Sequence, residues 1–349
     1  MRTFFCLFLL PLILFAQTNS EEDDSYYQAP VKSPEEIQAE LNAAEQEFKQ
    51  ALEVFNPWYT GPLITPSATM MPIGVGNSQP YIFVTDNHAS YNSDRKSVSL
   101  PSKLIQLQGA SNIQIGITNS FDLNLAFAAF LNWQSGEIGG GWGDMALEGG
   151  FKVLEQGPWI PGIKVTITQY FPTGKYKNLS LNNLGLNATG KGALSTRLAF
   201  AISKVVLWNT KHPMNMRLFM GYQKSPDVTV RNLNTYGGGR GARGKVSPGD
   251  DLSIDFGYEY SITQRWVFAT DLVYTSSSST SFRGTPGTAN DGSPAVVGDP
   301  SNDNLSLSSA IEYNFNENIG FIGGLWFSVY GRNSLNFLSG VISVTITFP

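Results

Sequence analysis

The sequence is poor in the residues on which much enzyme chemistry depends. Its 349 residues include one cysteine and two histidines. Cys6 lies in MRTFFCLFLLPLILFAQTNS, where Arg2, an apolar run from Phe4 to Phe15 and the small residue Ala16 make a signal-peptide pattern. Cleavage is expected after residue 16, or as late as 20. The exported chain then has no thiol, no disulfide and no cysteine-based metal site. That run is too short to span a membrane as a helix, and no other segment is continuously apolar.

Positive charge is also short. Lys and Arg total 23 against 28 Asp and Glu, a formal charge of -5 that becomes -6 once Arg2 is removed, which argues against general nucleic-acid binding. The scarcity of histidine excludes more. A Ser-His-acid membrane hydrolase could use only His88, near Ser90 and Asp86, because His212 falls at an expected turn. There is no HExxH, no histidine cluster and no EF-hand loop, so no metal, cofactor or catalytic residue is expected. Asn-x-Ser/Thr triplets at Asn178, Asn187 and Asn304 matter only in a eukaryotic secretory pathway.

GGGRGARGKV, Gly237 to Val246, contains Gly239-x4-Gly244-Lys245, close to a phosphate-cradling loop. Val246 stands where Ser or Thr would hold Mg²⁺, and Ser247-Pro248-Gly249 prevents a following helix. The stretch reads as a flexible, locally basic loop carrying Arg240, Arg243 and Lys245, with no nucleotide site.

Two patterns are present. After an acidic flexible segment, 17–33, residues 34–56 place Ile37, Leu41, Ala44, Phe48, Ala51 and Phe55 at heptad spacing, with Glu35 and Glu36 in the first turn. This predicts an amphipathic helix, and its seam offers a route to a homo-oligomer. Asn56-Pro57 ends it, and a linker, 57–78, is expected next.

From 79 to 349 the period becomes two. Ile105, Leu107, Gly109, Ser111, Ile113, Ile115 and Ile117 alternate with polar or small residues, and the pattern recurs over 123–133, 145–153, 163–171, 194–202, 214–222, 252–260, 266–274, 305–315, 319–329 and 338–348. With 79–91 this makes about twelve strands, mostly long enough for a tilted membrane span. Short turns at 119–120, 263–264 and 316–317 and modest ones at 155–162 and 205–212 oppose long loops at 174–191, 225–249 and 276–302. Brief loops at 135–141 and 331–335 complete the long-loop end. Trp133, Phe171, Tyr222, Tyr274 and Tyr330 mark one end, and Trp159, Trp208, Tyr260, Trp266, Tyr313 and Phe348 the other, as two interfacial girdles require. The expectation is all-β: an antiparallel transmembrane β-barrel in a bacterial outer membrane, with a short N-terminal periplasmic α-helix.

The stretches GITNSFDLNLAF, GWGDMALEGGFKV and YFPTGKY resemble the outer-membrane barrel family known as the MetA-pathway of phenol degradation. The likeness runs from about Leu104 to Tyr274. It implies a membrane-spanning β-barrel that transports small molecules, aromatic ones among them.

If the apolar faces meet lipid, then Asp144, Glu148, Lys152, Lys164, Arg197, Arg217, Asp255, Glu259, Asp271 and Glu312 point into the lumen. They set either a solute path or a structural ion-pair network. Asp144, Glu148 and Lys152 share one strand face and are expected to lie close together. Three functions stay open: a channel or uptake barrel, a structural or surface-interaction barrel with a plugged lumen, and a membrane-embedded hydrolase. The partners expected are outer-membrane lipids, lipopolysaccharide and the barrel-assembly machinery, with no nucleic acid.

Overall fold

Alternation of side chains along extended backbone is realised as a closed sheet. The structure, a computed structural model, describes residues 32–53, 57–206, 212–289 and 291–349. The expected signal peptide, most of the acidic segment and Trp208 lie outside these residues.

Helix α1, Pro34–Glu53, begins with a capping box: Ser33 Oγ accepts from the Glu36 N–H at 3.2 Å, and the Glu36 carboxylate accepts from the Ser33 N–H at 2.8 Å. Ile37 and Leu41 on its expected seam are exposed.

The strands are β1 (Gly76–Tyr91), β2 (Ser97–Thr118), β3 (Phe121–Gln134), β4 (Glu137–Trp142), β5 (Met145–Leu154), β6 (Gly162–Phe171), β7 (Ser195–Val206), β8 (Met214–Lys224), β9 (Val228–Arg231), β10 (Arg243–Ser247), β11 (Asp251–Ser261), β12 (Trp266–Ser277), β13 (Ser281–Thr285), β14 (Asn302–Asn314), β15 (Ile319–Arg332) and β16 (Ser334–Phe348). Antiparallel neighbours run β2-β1-β16-β15-β14-β12-β11-β8-β7-β6-β5-β3, and β2 pairs with β3 to close the ring. β4 and β5 pair in turn with the two halves of β3 and act as one broken wall strand, so the barrel has twelve. Closure leaves no unpaired edge, the condition for β-structure in lipid.

The outward face carries exposed apolar side chains around the ring, including Phe200, Leu272, Leu325 and Ile342, while the inward neighbours Ala201, Asp271, Val273 and Val341 are buried. Such a belt is stable only against hydrocarbon. No helix among the described residues is long and apolar enough to cross a membrane, so crossing falls to the strands.

Several boundaries differ from the sequence expectation. β1 begins at Gly76 rather than 79, and β2 at Ser97 rather than 105. The connection expected at 135–141 is a turn at Ser135 and Gly136, because Glu137–Trp142 pairs with β3 despite its three glycines. The GGGRGARGKV stretch is not a free loop: β9, β10 and β13 form a separate three-stranded sheet at the long-loop end, in the order β13-β10-β9. Gly239 is required there by close approach, since a Cβ would strike the Thr288 carbonyl. Ala193, Val228, Val230 and Val246 bury one face of this sheet with Tyr176, Tyr236 and Phe282. Burial pushes the Tyr236 hydroxyl's pKa up, keeping it protonated as it donates to the Lys191 carbonyl at 2.6 Å.

Candidate functional site in the barrel lumen

The segment expected to be a linker enters the barrel. Residues 57–75 contain four prolines and no charged residue, and proline has no N–H to satisfy. The path starts at the short-turn end, where Asn314 Nδ2 donates to the Trp58 carbonyl at 3.0 Å and Ser261 Oγ donates to the Tyr59 hydroxyl at 3.0 Å. It then rises along the wall. The Thr60 N–H donates to Glu312 at 2.9 Å, and midway up the barrel the Ile64 and Thr65 N–H groups donate to Asp271 at 3.3 and 2.9 Å. From there it crosses to β7, where the Ala68 N–H donates to Ser203 Oγ at 2.9 Å. It leaves beside β2, the Gly74 N–H meeting the Gly116 carbonyl at 2.9 Å, and becomes β1.

The wall is shaped for this chain. Leu63 packs on Ala269, Ala310, Ile322 and Val341, and Ala68 on Ala199, Ala201 and Phe219. A Cβ on Gly257 would meet Pro62 and Thr65 at 2.9 and 3.0 Å, and one on Gly320 would strike the Thr60 hydroxyl. Small residues on the inner wall thus admit a backbone that larger ones would expel.

The ten sequence-selected residues divide by partner. Asp271 and Glu312 hold the inserted segment through its N–H groups. Arg217 pairs with Glu259 at 2.9 Å, Asn215 donates to the same carboxylate at 2.7 Å, and the guanidinium lies against Gly61. Asp255 accepts from Ser253 Oγ at 2.7 Å. Lys164 pairs with Asp122 at 3.1 Å, and Arg197 with Glu148 at 3.2 Å. Asp144, Glu148 and Lys152 do not come together. Four residues of strand span about 13 Å, and the three carry separate tasks: Asp144 accepts from the Gly174 and Lys191 N–H groups at the root of the 174–191 loop, Glu148 accepts from Thr168 and Arg197, and Lys152 pairs with Glu155.

Opposite the seated segment remains a cavity of about 960 Å³, bounded by Asn112, Gln114, Asn124, Thr168 and Arg197 on the wall and by residues 59–72 of the segment. Several inward polar atoms there, Asn124 Oδ1, Thr166 Oγ1 and Arg197 Nε, have no protein partner. Asn112, Gln114, Asn124 and Thr168 give this side of the cavity a polar wall. The Arg197 guanidinium lies 5.6 Å from the Tyr170 ring and 5.3 Å from the Phe219 ring.

His88 Nδ1 lies 3.3 Å from the Asp86 carbonyl, and no Ser90 hydroxyl is bonded to the ring. His212 contacts the Ser261 carbonyl at 3.0 Å and stacks on Tyr260. Among the described residues no group of three or more His, Cys, Asp or Glu is placed to hold a metal ion. Sequence reasoning missed Asp122, Asn215 and Asn314, although all sit on polar strand faces; it missed the segment's role altogether.

No family model matches the chain, and no curated protein matches it in sequence. Among solved structures, the COG4313 outer membrane channel from Pseudomonas putida F1 superposes with a TM-score of 0.62 at 16% identity, over 82% of this chain and 100% of that one. The KdgM porin in complex with disordered oligogalacturonate gives 0.37 at 9% identity, over 77% and 99%. The CymD monoaromatic hydrocarbon channel gives 0.36 at 12%, over 80% and 89%. The first of these likenesses establishes the shared fold: this chain is an outer-membrane-type β-barrel.

Proposed function

We propose that this chain is an outer-membrane channel for small molecules, aromatic ones among them, and a divergent relative of the phenol-degradation barrel family. The passage runs along the polar half of a lumen narrowed by the chain's own residues 57–75. One observation carries this reading: a polar-walled cavity of about 960 Å³ persists beside the inserted segment, of the size that suits small ligands. Its polar wall suits water and polar groups, and Tyr170 borders it with a ring. In this reading the chain is not an enzyme. The short-turn end and α1 face the periplasm, the helix seam serves self-association, and the long loops face outward.

A second reading, a plugged structural barrel, is favoured by the number of hydrogen bonds that hold residues 57–75. Planar-bilayer conductance of refolded protein separates the two. Steady single-channel openings support the channel, and silence supports the plug. Because the exported chain has no cysteine of its own, an Ala68→Cys, Ser203→Cys disulfide can lock the segment: unchanged conductance when oxidised places the path in the residual cavity, and loss on oxidation makes the segment a moving gate.

A further inference from the structure

Side chains that point into the lumen fall into rows, because antiparallel partners in register lie side by side across the wall. One such row is polar on each of eight neighbouring strands. From Asn77 on β1 the register leads to Gln114 on β2, Asn124 on β3, Glu148 on β5, Thr168 on β6 and Arg197 on β7. It goes on to Gln223 on β8 and Asp251 on β11. Because the strands of a membrane barrel are tilted, such a row climbs as it goes round. This one starts beside Gly76, where β1 begins at the short-turn end, and finishes at Asp251, the first residue of β11 at the long-loop end. It therefore runs the height of the lumen.

The rows on either side are broken. Two residues along the strands, one has Ala126 and Ala146 where the polar row has Asn124 and Glu148, and the other has Gly150 and Ala199 where it has Glu148 and Arg197. The polar row also faces open space: its members from Asn77 to Arg197 all border the cavity of about 960 Å³, and Ala126 and Ala146 border it beside them.

Its charges cancel. Glu148 pairs with Arg197 at 3.2 Å and accepts from Thr168 Oγ1 at 2.6 Å, and Asp251 pairs with Lys191 at 2.7 Å. An ion gains no net attraction from such a row. The uncharged members are carboxamides and a hydroxyl, groups that both donate and accept, as a solute hydroxyl does. Neighbouring strands lie about 4.8 Å apart, so a solute meets its next partner close to its last. Trading water for the wall is nearly balanced in free energy, and many weak sites in series let a solute enter and still leave.

From this row we infer that the passage conducts uncharged small molecules bearing several hydroxyl groups, handed along Asn77, Gln114, Asn124 and Thr168. The inference rests on the channel reading above and adds a solute class to it.

The test uses refolded full-length protein and two probes: sorbitol, and glycine betaine, which is smaller, net neutral and free of hydroxyl groups. In liposome swelling, wild type should admit sorbitol faster than betaine despite its size. The variant Gln114→Leu, Asn124→Leu keeps the bulk of the wall but loses both carboxamides; its sorbitol rate should fall about fivefold. Betaine entry and potassium chloride conductance should change by less than about twofold, since neither depends on hydrogen bonds to hydroxyl groups. Should that variant not refold, the isosteric Thr168→Val should give a smaller loss of the same kind. Sorbitol entry that is unchanged in these variants, or that falls in step with betaine entry, overturns the proposal. Saturation-transfer NMR of sorbitol on the protein in detergent reads the row without transport. Transfer in wild type that is lost in the variant supports the row as a hydroxyl-binding track even if the bilayer is silent, in which case the channel reading alone fails; no transfer in wild type overturns the track itself.

Discussion

On the β11–β16 side of the lumen the inner wall carries Gly257, Ala269, Ala310, Gly320 and Val341, whereas the β2–β7 side carries Asn112, Asn124, Glu148, Thr168 and Arg197. Both walls obey the same alternation. They differ in what fills the space inside. Where the side chains are small, a second layer of chain packs, and its N–H groups find the buried acceptors Asp271 and Glu312. Where they are long and polar, a cavity of about 960 Å³ is left between them and the segment. One barrel thus joins a seat to an unfilled polar cavity, and substitutions on each side should fail in different ways.

The largest effect is expected where the wall faces lipid rather than lumen. Leu125→Arg should block assembly, since a lipid-facing charge near mid-bilayer costs about 2–4 kcal/mol. The adjacent Asn124→Arg, on the passage side, should fold and show heat-modifiable migration but conduct less. Equal assembly of the two, measured by outer-membrane fractionation and gel shift, would contradict the assignment of faces, and the reverse order would mean that inner and outer faces are exchanged.

Next in size are insertions into the seat. Gly257→Leu or Gly320→Leu puts side-chain atoms where Pro62, Thr65 or Thr60 now lie, and overpacking of this kind costs about 1–3 kcal/mol. The segment should be displaced while the strands persist. Conductance should rise several-fold, and a cysteine placed at Ala68 should become reactive to a membrane-impermeant thiol reagent. A barrel with unchanged conductance and a protected cysteine would show that the seat does not depend on those glycines.

How much of this was legible before folding depends on period. Strands such as 163–171 announce themselves because Ile163, Val165 and Ile167 alternate with Lys164, Thr166 and Thr168, and the same code places the lumen-facing carboxylates. β4 escapes because Glu137–Trp142 offers three glycines and no alternation. The loop sheet escapes because β9, β10 and β13 are too short to show a period. Residues 57–75 escape because proline-rich extended chain has no period at all. Yet a signal was there: no charged residue occurs between Glu53 and Asp86, and an uncharged stretch holding Leu63, Ile64, Met70 and Met71 is ill suited to lie in water as a linker. The partners of Glu148 and Asp144 were not legible, because sequence gives the face a residue takes but not the strand or loop that meets it.

A smaller effect is expected from Asp271→Leu, which removes the acceptor of the Ile64 and Thr65 N–H groups without touching the wall's shape. Leaving buried N–H groups unpaired costs about 1–3 kcal/mol, but Leu63 keeps its apolar seat. The segment should therefore loosen rather than leave: a cysteine at Ala68 should label more slowly than in the Gly320→Leu background and faster than in wild type, with openings that flicker. Labelling as fast as in Gly320→Leu would make the hydrogen bonds, not the small-residue wall, the dominant hold.

The smallest effect belongs to the passage side. Arg197 is partly exposed and paired with Glu148 at 3.2 Å, and ion pairs in contact with water contribute about 0–1 kcal/mol. Arg197→Gln should accordingly leave assembly and melting almost unchanged. It removes one positive charge beside Glu148 from a narrow polar cavity, where a fixed charge acts on passing ions with less screening than at an open surface. Reversal potentials under a salt gradient should therefore shift toward cation preference, and Glu148→Gln should shift them the other way. The double change, which removes both charges, should return them close to wild type. Unchanged reversal potentials in both single variants, with conductance intact, would show that ions bypass this wall and that the passage runs elsewhere in the barrel.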